Sequence, residues 1–297
     1  MLSLSQTSNS LFCIEWIPSE SGPQVIQYKK ISYKPKNYVD FLDSIFKSFK
    51  VENSDSVNKN LTLSLDLDNI FITSFKYTQE IPLDEKIKWY EKYFLGNYIL
   101  DNYDIYYYPI HGSSNEVMVI YISRHIKNNI LESCRKYGYD LKHLTLDMFS
   151  ANHSVHIYNS SLNDSYILWK IGKGNNHHLL YYDKANLECY LRLKCGKKIE
   201  CIQSIGSNNI KKQLISVVSS FMLENIKNVN SDFYDKIYLY QSKSNFQLLE
   251  KIYNQDTNKI IIMDIGKKFL NKSSKRKNNY HLLGYNENGN SLRGIDV

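Results

Sequence analysis

Apolar and polar positions alternate along this chain in a way that predicts short strands interleaved with amphipathic helices. Residues 11–17 (LFCIEWI) and 24–31 (QVIQYKKI) predict two strands joined at Ser21-Gly22-Pro23. A helix is expected at about 38–50, with Val39, Leu42, Ile45, Phe46 and Phe49 on one face. Leu61, Leu63 and Leu65 then alternate with polar residues as in a half-buried strand, and NIFITSFKY (69–77) predicts another. The segment IPLDEKIKWYEKYFLG predicts a helix: Asp84 and Glu85 suit its first turn, Leu83, Ile87, Tyr90 and Phe94 form its apolar stripe, and Gly96 can end it. Runs 104–110 and 116–122 predict a strand pair, and Ser123 can cap a helix carrying Ile126, Ile130, Cys134 and Tyr137, with Gly138 at its stop.

The second half has its own order. Three strand-like runs, 166–171, 177–183 and 186–193, precede a helix at roughly 208–228 with Ile210, Leu214, Val217, Val218 and Phe221 on one face. The strand 236–240, a helix capped by Ser244 with Leu248, Leu249 and Ile252, and the apolar run 259–263 follow. Three meandering strands, then helix, strand, helix, strand, is the order of a ribonuclease-H-like unit. The first half begins similarly but carries extra elements at about 66–122. Two such units in series predict an α/β, actin-like architecture: residues 1–150 as a first half with an inserted subdomain, and 151–297 as a reduced second half whose tail returns to the first.

Composition sets limits on this picture. Of the 297 residues 42% are hydrophobic, enough for a core and too many for a disordered chain. The net charge of +7 favours acidic surfaces only weakly, and no nucleic-acid ligand is expected from it. The start lacks a basic region and a sustained apolar stretch, and no later run nears the roughly 18 apolar residues that span a bilayer, so a soluble, intracellular protein is expected. The five cysteines are odd in number, so reduced thiols are expected. Cys189, Cys195 and Cys201 recur every six residues near His177 and His178, but lack the close C-x2–4-C pairs of zinc sites.

IPLDEKIKWYEKYFLGNYILDNYDIYYYPI, from Ile81 to Ile110, resembles the PilM-like proteins of type IV pilus assembly: a Pro-Leu helix start, an aromatic helix around a Trp, then a strand with an Asp-aromatic step. The stretch VMVIYISRHIKNNILESCRKYGYDLKHLTLDMFSANHSV, with Gly138 and Asp147, and the ending SLRGIDV continue the resemblance. The cytoplasmic domain of GspL-type secretion proteins is a near relative. The resemblance implies a cytoplasmic protein peripheral to the inner membrane, gripping the N-terminal peptide of a PilN-like bitopic membrane protein; it leaves self-association open. One departure stands out: only about fifteen residues, Lys194 to Asn208, separate the meander from the long helix, where the family places a further subdomain.

Actin-like ATP binding needs two strand turns with an Asp for magnesium-bound water and glycines for close approach to phosphate. The turns taken as counterparts here are altered. The first is Glu15-Trp16-Ile17-Pro18-Ser19-Glu20, with no glycine; the second places Lys170 where the Asp belongs, but keeps Gly172 and Gly174. Tyr240 and Ser242 stand in the usually Gly-rich adenosine loop. A degenerate nucleotide cleft at Glu15, Trp16, Ser19, Lys170, Gly172, Gly174, Tyr240 and Ser242 is therefore expected, with no resident cofactor, ATP with magnesium being the weaker alternative.

For partners, Trp89, Tyr93 and Tyr107 are the candidate peptide-docking residues, because aromatic side chains bury much area at low entropic cost. Lys275, Arg276 and Lys277, in the basic run 266–279, are the candidate contact with anionic lipid. The expected function is a non-enzymatic assembly-platform adaptor. An actin-like ATPase with an unusual cleft and a basic nucleic-acid-binding protein are the rivals, the latter distinguished by a steep salt dependence of DNA affinity.

Overall fold

The computed structural model describes residues 1–6, 10–17, 24–32, 42–43, 46–47, 60–78, 80–111, 115–158, 164–222, 233–241, 246–256 and 258–263. Its elements run in chain order β1 (Leu2–Gln6), β2 (Ser10–Ile17), β3 (Gln24–Ser32), β4 (Asn60–Leu65), β5 (Phe71–Lys76), α1 (Leu83–Phe94), α2 (Asn97–Asn102), β6 (Tyr103–Ile110) and β7 (Glu116–Ser123). Next come α3 (Arg124–Lys136), β8 (Asp140–Leu146), α4 (Asp147–Tyr158), β9 (Tyr166–Ile171), β10 (Asn176–Asp183), β11 (Asn186–Cys195) and β12 (Ile199–Gly206). The series ends with α5 (Asn208–Met222), β13 (Lys236–Gln241), α6 (Phe246–Tyr253) and β14 (Ile260–Ile262). Between β3 and β4, Leu42, Asp43, Phe46 and Lys47 are helical, with Leu42 and Phe46 buried.

Two compact units emerge, and each is assembled from separate stretches of chain. The first takes the described residues of Met1–Asn69 and His125–Ser160 together with Met263; the second takes those of Ile70–Arg124 and Ser161–Ile262. Among the described residues the first unit forms a sheet of order β3-β2-β1-β4-β8, antiparallel from β3 to β1 and parallel from β1 to β8. This is the ribonuclease-H-like meander followed by two crossovers. Leu2 and Leu4 of β1 and Leu61, Leu63 and Leu65 of β4 are buried, as the two-residue period of a strand requires. Ser3, Ser5, Thr62 and Ser64 fill the alternate positions and are also buried, with Thr62 Oγ1 donating to Ser3 Oγ at 3.0 Å.

Helix α3 shows how the sequence ends an element. Ile130 and Cys134 face the core, and Gly138 adopts the left-handed φ of 71° that a side chain disfavours. Tyr139 N–H then reaches Cys134 O at 2.9 Å and Gly138 N–H reaches Arg135 O at 3.1 Å, the paired bonds of a Schellman stop.

The second unit holds two sheets. The larger has order β12-β11-β10-β9-β13-β14, again a meander followed by parallel strands, with β12 added outside β11. The short interval 194–208 is thus spent on one further edge strand instead of a subdomain. Helix α5 buries Leu214, Val217, Val218 and Phe221, and Phe221 meets Trp169 of β9 with ring centroids 6.1 Å apart. Tyr166 of β9 stacks on Tyr182 of β10 at 5.0 Å.

The smaller sheet, β5-β7-β6, is the insertion. Although it lies in the first half of the sequence, its partners lie in the second. Leu187 O accepts from His111 N–H at 2.9 Å, Ile72 O accepts from Gln203 Nε2 at 2.6 Å, and Glu116 accepts from Gly206 N–H at 2.8 Å. The opposite face of this sheet is covered by α1, where Tyr90 and Leu95 pack with Val119 and Tyr121. No helix among the described residues is long and apolar enough to cross a membrane.

Candidate functional site

Within the second unit, β9 and β10 are joined by a tight turn. Gly172 N–H donates to Asn176 O at 2.7 Å, closing the hairpin, and a Cβ on Gly172 would sit 3.0 Å from that same oxygen. Gly174 and Asn175 both take left-handed φ angles, 66° and 62°, and Gly174 is open to solvent. Two residues before Gly172, Lys170 is only 1% exposed and sits in register between His178 of β10 and Tyr240 of β13. Tyr240 is buried as well. A buried lysine therefore stands where a carboxylate would hold magnesium-bound water, and the first glycine amide of the turn is engaged within the hairpin. A lysine cannot ligate magnesium, so Lys170 supplies no metal-holding carboxylate at this turn.

In the first unit the topology corrects the counterpart of this turn. The strand equivalent to β9 is β1, because each is the first strand of its meander and the central partner of a parallel neighbour. The equivalent position is consequently the connection from β1 to β2, and not the segment after Glu15 and Trp16. Glu15 pairs with Leu2, at the opposite end of β1 from that connection. Trp16 is a core residue whose N–H donates to Met1 O at 2.8 Å. Reading β2 as the first strand displaced the site by one hairpin. Residues 7–9, Ser19, Ser242, Lys275, Arg276 and Lys277 lie outside the described residues.

Two carboxylates that the sequence reading did not single out as site residues occupy the C-terminal ends of parallel strands, where open α/β sheets place their ligands. Asp66 follows β4 and Asp147 follows β8, and both are buried. Asp147 Oδ2 accepts from Leu67 N–H at 3.2 Å and Oδ1 accepts from Met148 N–H; Asp66 Oδ1 accepts from Asp68 N–H at 3.2 Å. Their signal was visible in LTLSLD and LTLD, each an alternating strand ending in Asp. Both carboxylates order backbone amides at strand ends, the work of caps.

The aromatic candidates divide between two surfaces. Tyr107 of β6 points into the layer beneath α1: its hydroxyl donates to Glu91 at 3.0 Å, and its ring stands edge-on to Tyr90 at 6.4 Å. Burial, with Glu91 beside it, pushes that hydroxyl above its ordinary range. Trp89 and Tyr93 lie on the outside of α1, with ring centroids 5.4 Å apart. The three therefore do not line one groove.

His177 and His178 are each held by an aromatic side chain. Trp169 Nε1 donates to His177 Nδ1 at 2.9 Å, and His178 Nδ1 lies 3.1 Å from the Tyr190 hydroxyl, on the opposite face of β10. Burial raises the Cys189 and Cys195 thiols to about 12, while Cys201 is exposed. Among the described residues no group of three metal-ligating side chains converges.

No family profile and no curated protein matches this sequence. Solved structures do. PilM, in the PilM–PilN type IV pilus biogenesis complex, is similar over 100% of this chain and 98% of its own, with 14% identity and a TM-score of 0.61. The cytoplasmic domain of EpsL, an inner-membrane component of the type II secretion system of Vibrio cholerae, covers 86% of the chain and 94% of its own at 12% identity and TM-score 0.42. The ethanolamine utilisation protein EutJ of Carboxydothermus hydrogenoformans covers 98% and 88% at 10% identity and TM-score 0.45. From its strand order and its whole-length likeness to PilM, this chain has a PilM-like, actin-like fold.

Proposed function

We propose that this protein is a non-enzymatic adaptor in the assembly platform of a type IV pilus or type II secretion-like system, holding the cytoplasmic N-terminal peptide of a PilN-like bitopic membrane protein. One observation carries the reading: the likeness to the PilM–PilN complex structure extends over 100% of this chain and 98% of that one, at a TM-score of 0.61. Lys170 in the position of a metal-holding carboxylate supports a scaffold role over nucleotide hydrolysis. On this reading the protein works peripherally at the inner membrane.

The test uses the full chain as bait on detergent-solubilised membranes. A bitopic membrane protein should be retained, and a synthetic peptide of that protein's first residues should release it. Titration calorimetry with ATP and magnesium should show no saturable binding. Saturable, magnesium-dependent ATP binding with turnover would instead establish an actin-like ATPase.

A further inference from the structure

We draw no further inference here: the strongest candidate, the exposed aromatic surface of Trp89 and Tyr93 on α1, is flanked by Glu85 as well as by Lys88 and Lys92, and nothing in the structure shows what covers it.

Discussion

The carboxylate of Glu116, on the central strand of the inserted sheet, accepts the backbone N–H of Gly206 at 2.8 Å, immediately before α5 begins. The other oxygen of Glu116 takes the hydroxyl of Ser74 on β5. One buried side chain thus fixes the insertion to the strand that launches the long helix. Gly206 can meet it only because it has no side chain. Its φ is 115°, and a Cβ there would lie 2.4 Å from Glu188 O and 3.0 Å from Cys189 Cα.

Gly206→Ala should therefore be among the most damaging single changes in the protein, destabilising it by about 3 kcal/mol or more, since the obstruction is backbone and cannot swing away. Glu116→Gln, which keeps the shape and loses the charge-assisted bonds, should cost roughly 1.5–3 kcal/mol. Urea unfolding of both variants measures this. Losses within about 0.5 kcal/mol of zero would mean that the insertion is not held at this point.

His177 makes stability sensitive to acid. Burial pulls its ring down to about 4, with neighbouring His178 acting in the same direction, from an ordinary value of 6.5. In the folded state Nδ1 accepts from Trp169, so the ring is neutral there. The unfolded chain takes up the proton first, and stability present above pH 6.5 is lost as the pH falls through 4. Over that window His177 contributes about 3 kcal/mol. His177→Gln retains an acceptor and does not titrate, so its unfolding free energy should fall less steeply than the parent's between these values. Equal slopes would remove the assignment.

The hydroxyls of Tyr90 and Tyr121 lie 3.0 Å apart in the core under α1. Removing one leaves the other without that partner in a buried setting, so Tyr90→Phe should cost about 1–2 kcal/mol. Removing both should cost less than the sum of the two single changes, by roughly 0.5–1 kcal/mol. A double-mutant cycle by thermal unfolding reads the difference, and strict additivity would argue that the hydroxyls do not interact.

Asp147 secures two backbone amides from a fully buried position. Asp147→Ala should destabilise the protein by about 2 kcal/mol, the loss of a cap together with an unsatisfied buried N–H at Leu67. Asp147→Asn, which keeps an acceptor, should recover part of that. Failure of the Asn variant to recover any would point to a role for the charge itself.

Much of this architecture was legible in the sequence, and the exceptions have identifiable causes. Leu61, Leu63 and Leu65 alternate cleanly, and their strand is present; Gly138 marks a helix stop, and it is left-handed. Strand β1 went unread because Leu2 and Leu4 alternate with small serines, giving two apolar positions where a pattern needs three or more. That single omission placed the expected phosphate site after β2, at residues 15–20, and not after β1. Strand β12 was missed because Glu200, Cys201 and Ile202 are all exposed, so neither face carries a core signature. Periodicity also cannot say which side of a sheet a tyrosine takes, so Tyr107 was grouped with Trp89 and Tyr93 although it packs beneath the helix that displays them.

The interleaving of the two units bears on how the chain is made. Strands β5, β6 and β7 leave the ribosome long before Leu187, Gln203 and Gly206, the residues that complete their hydrogen bonds. The nascent insertion must wait with its Glu116 side uncovered until synthesis has passed Gly206, an interval in which chaperones gain access and a truncated product would aggregate.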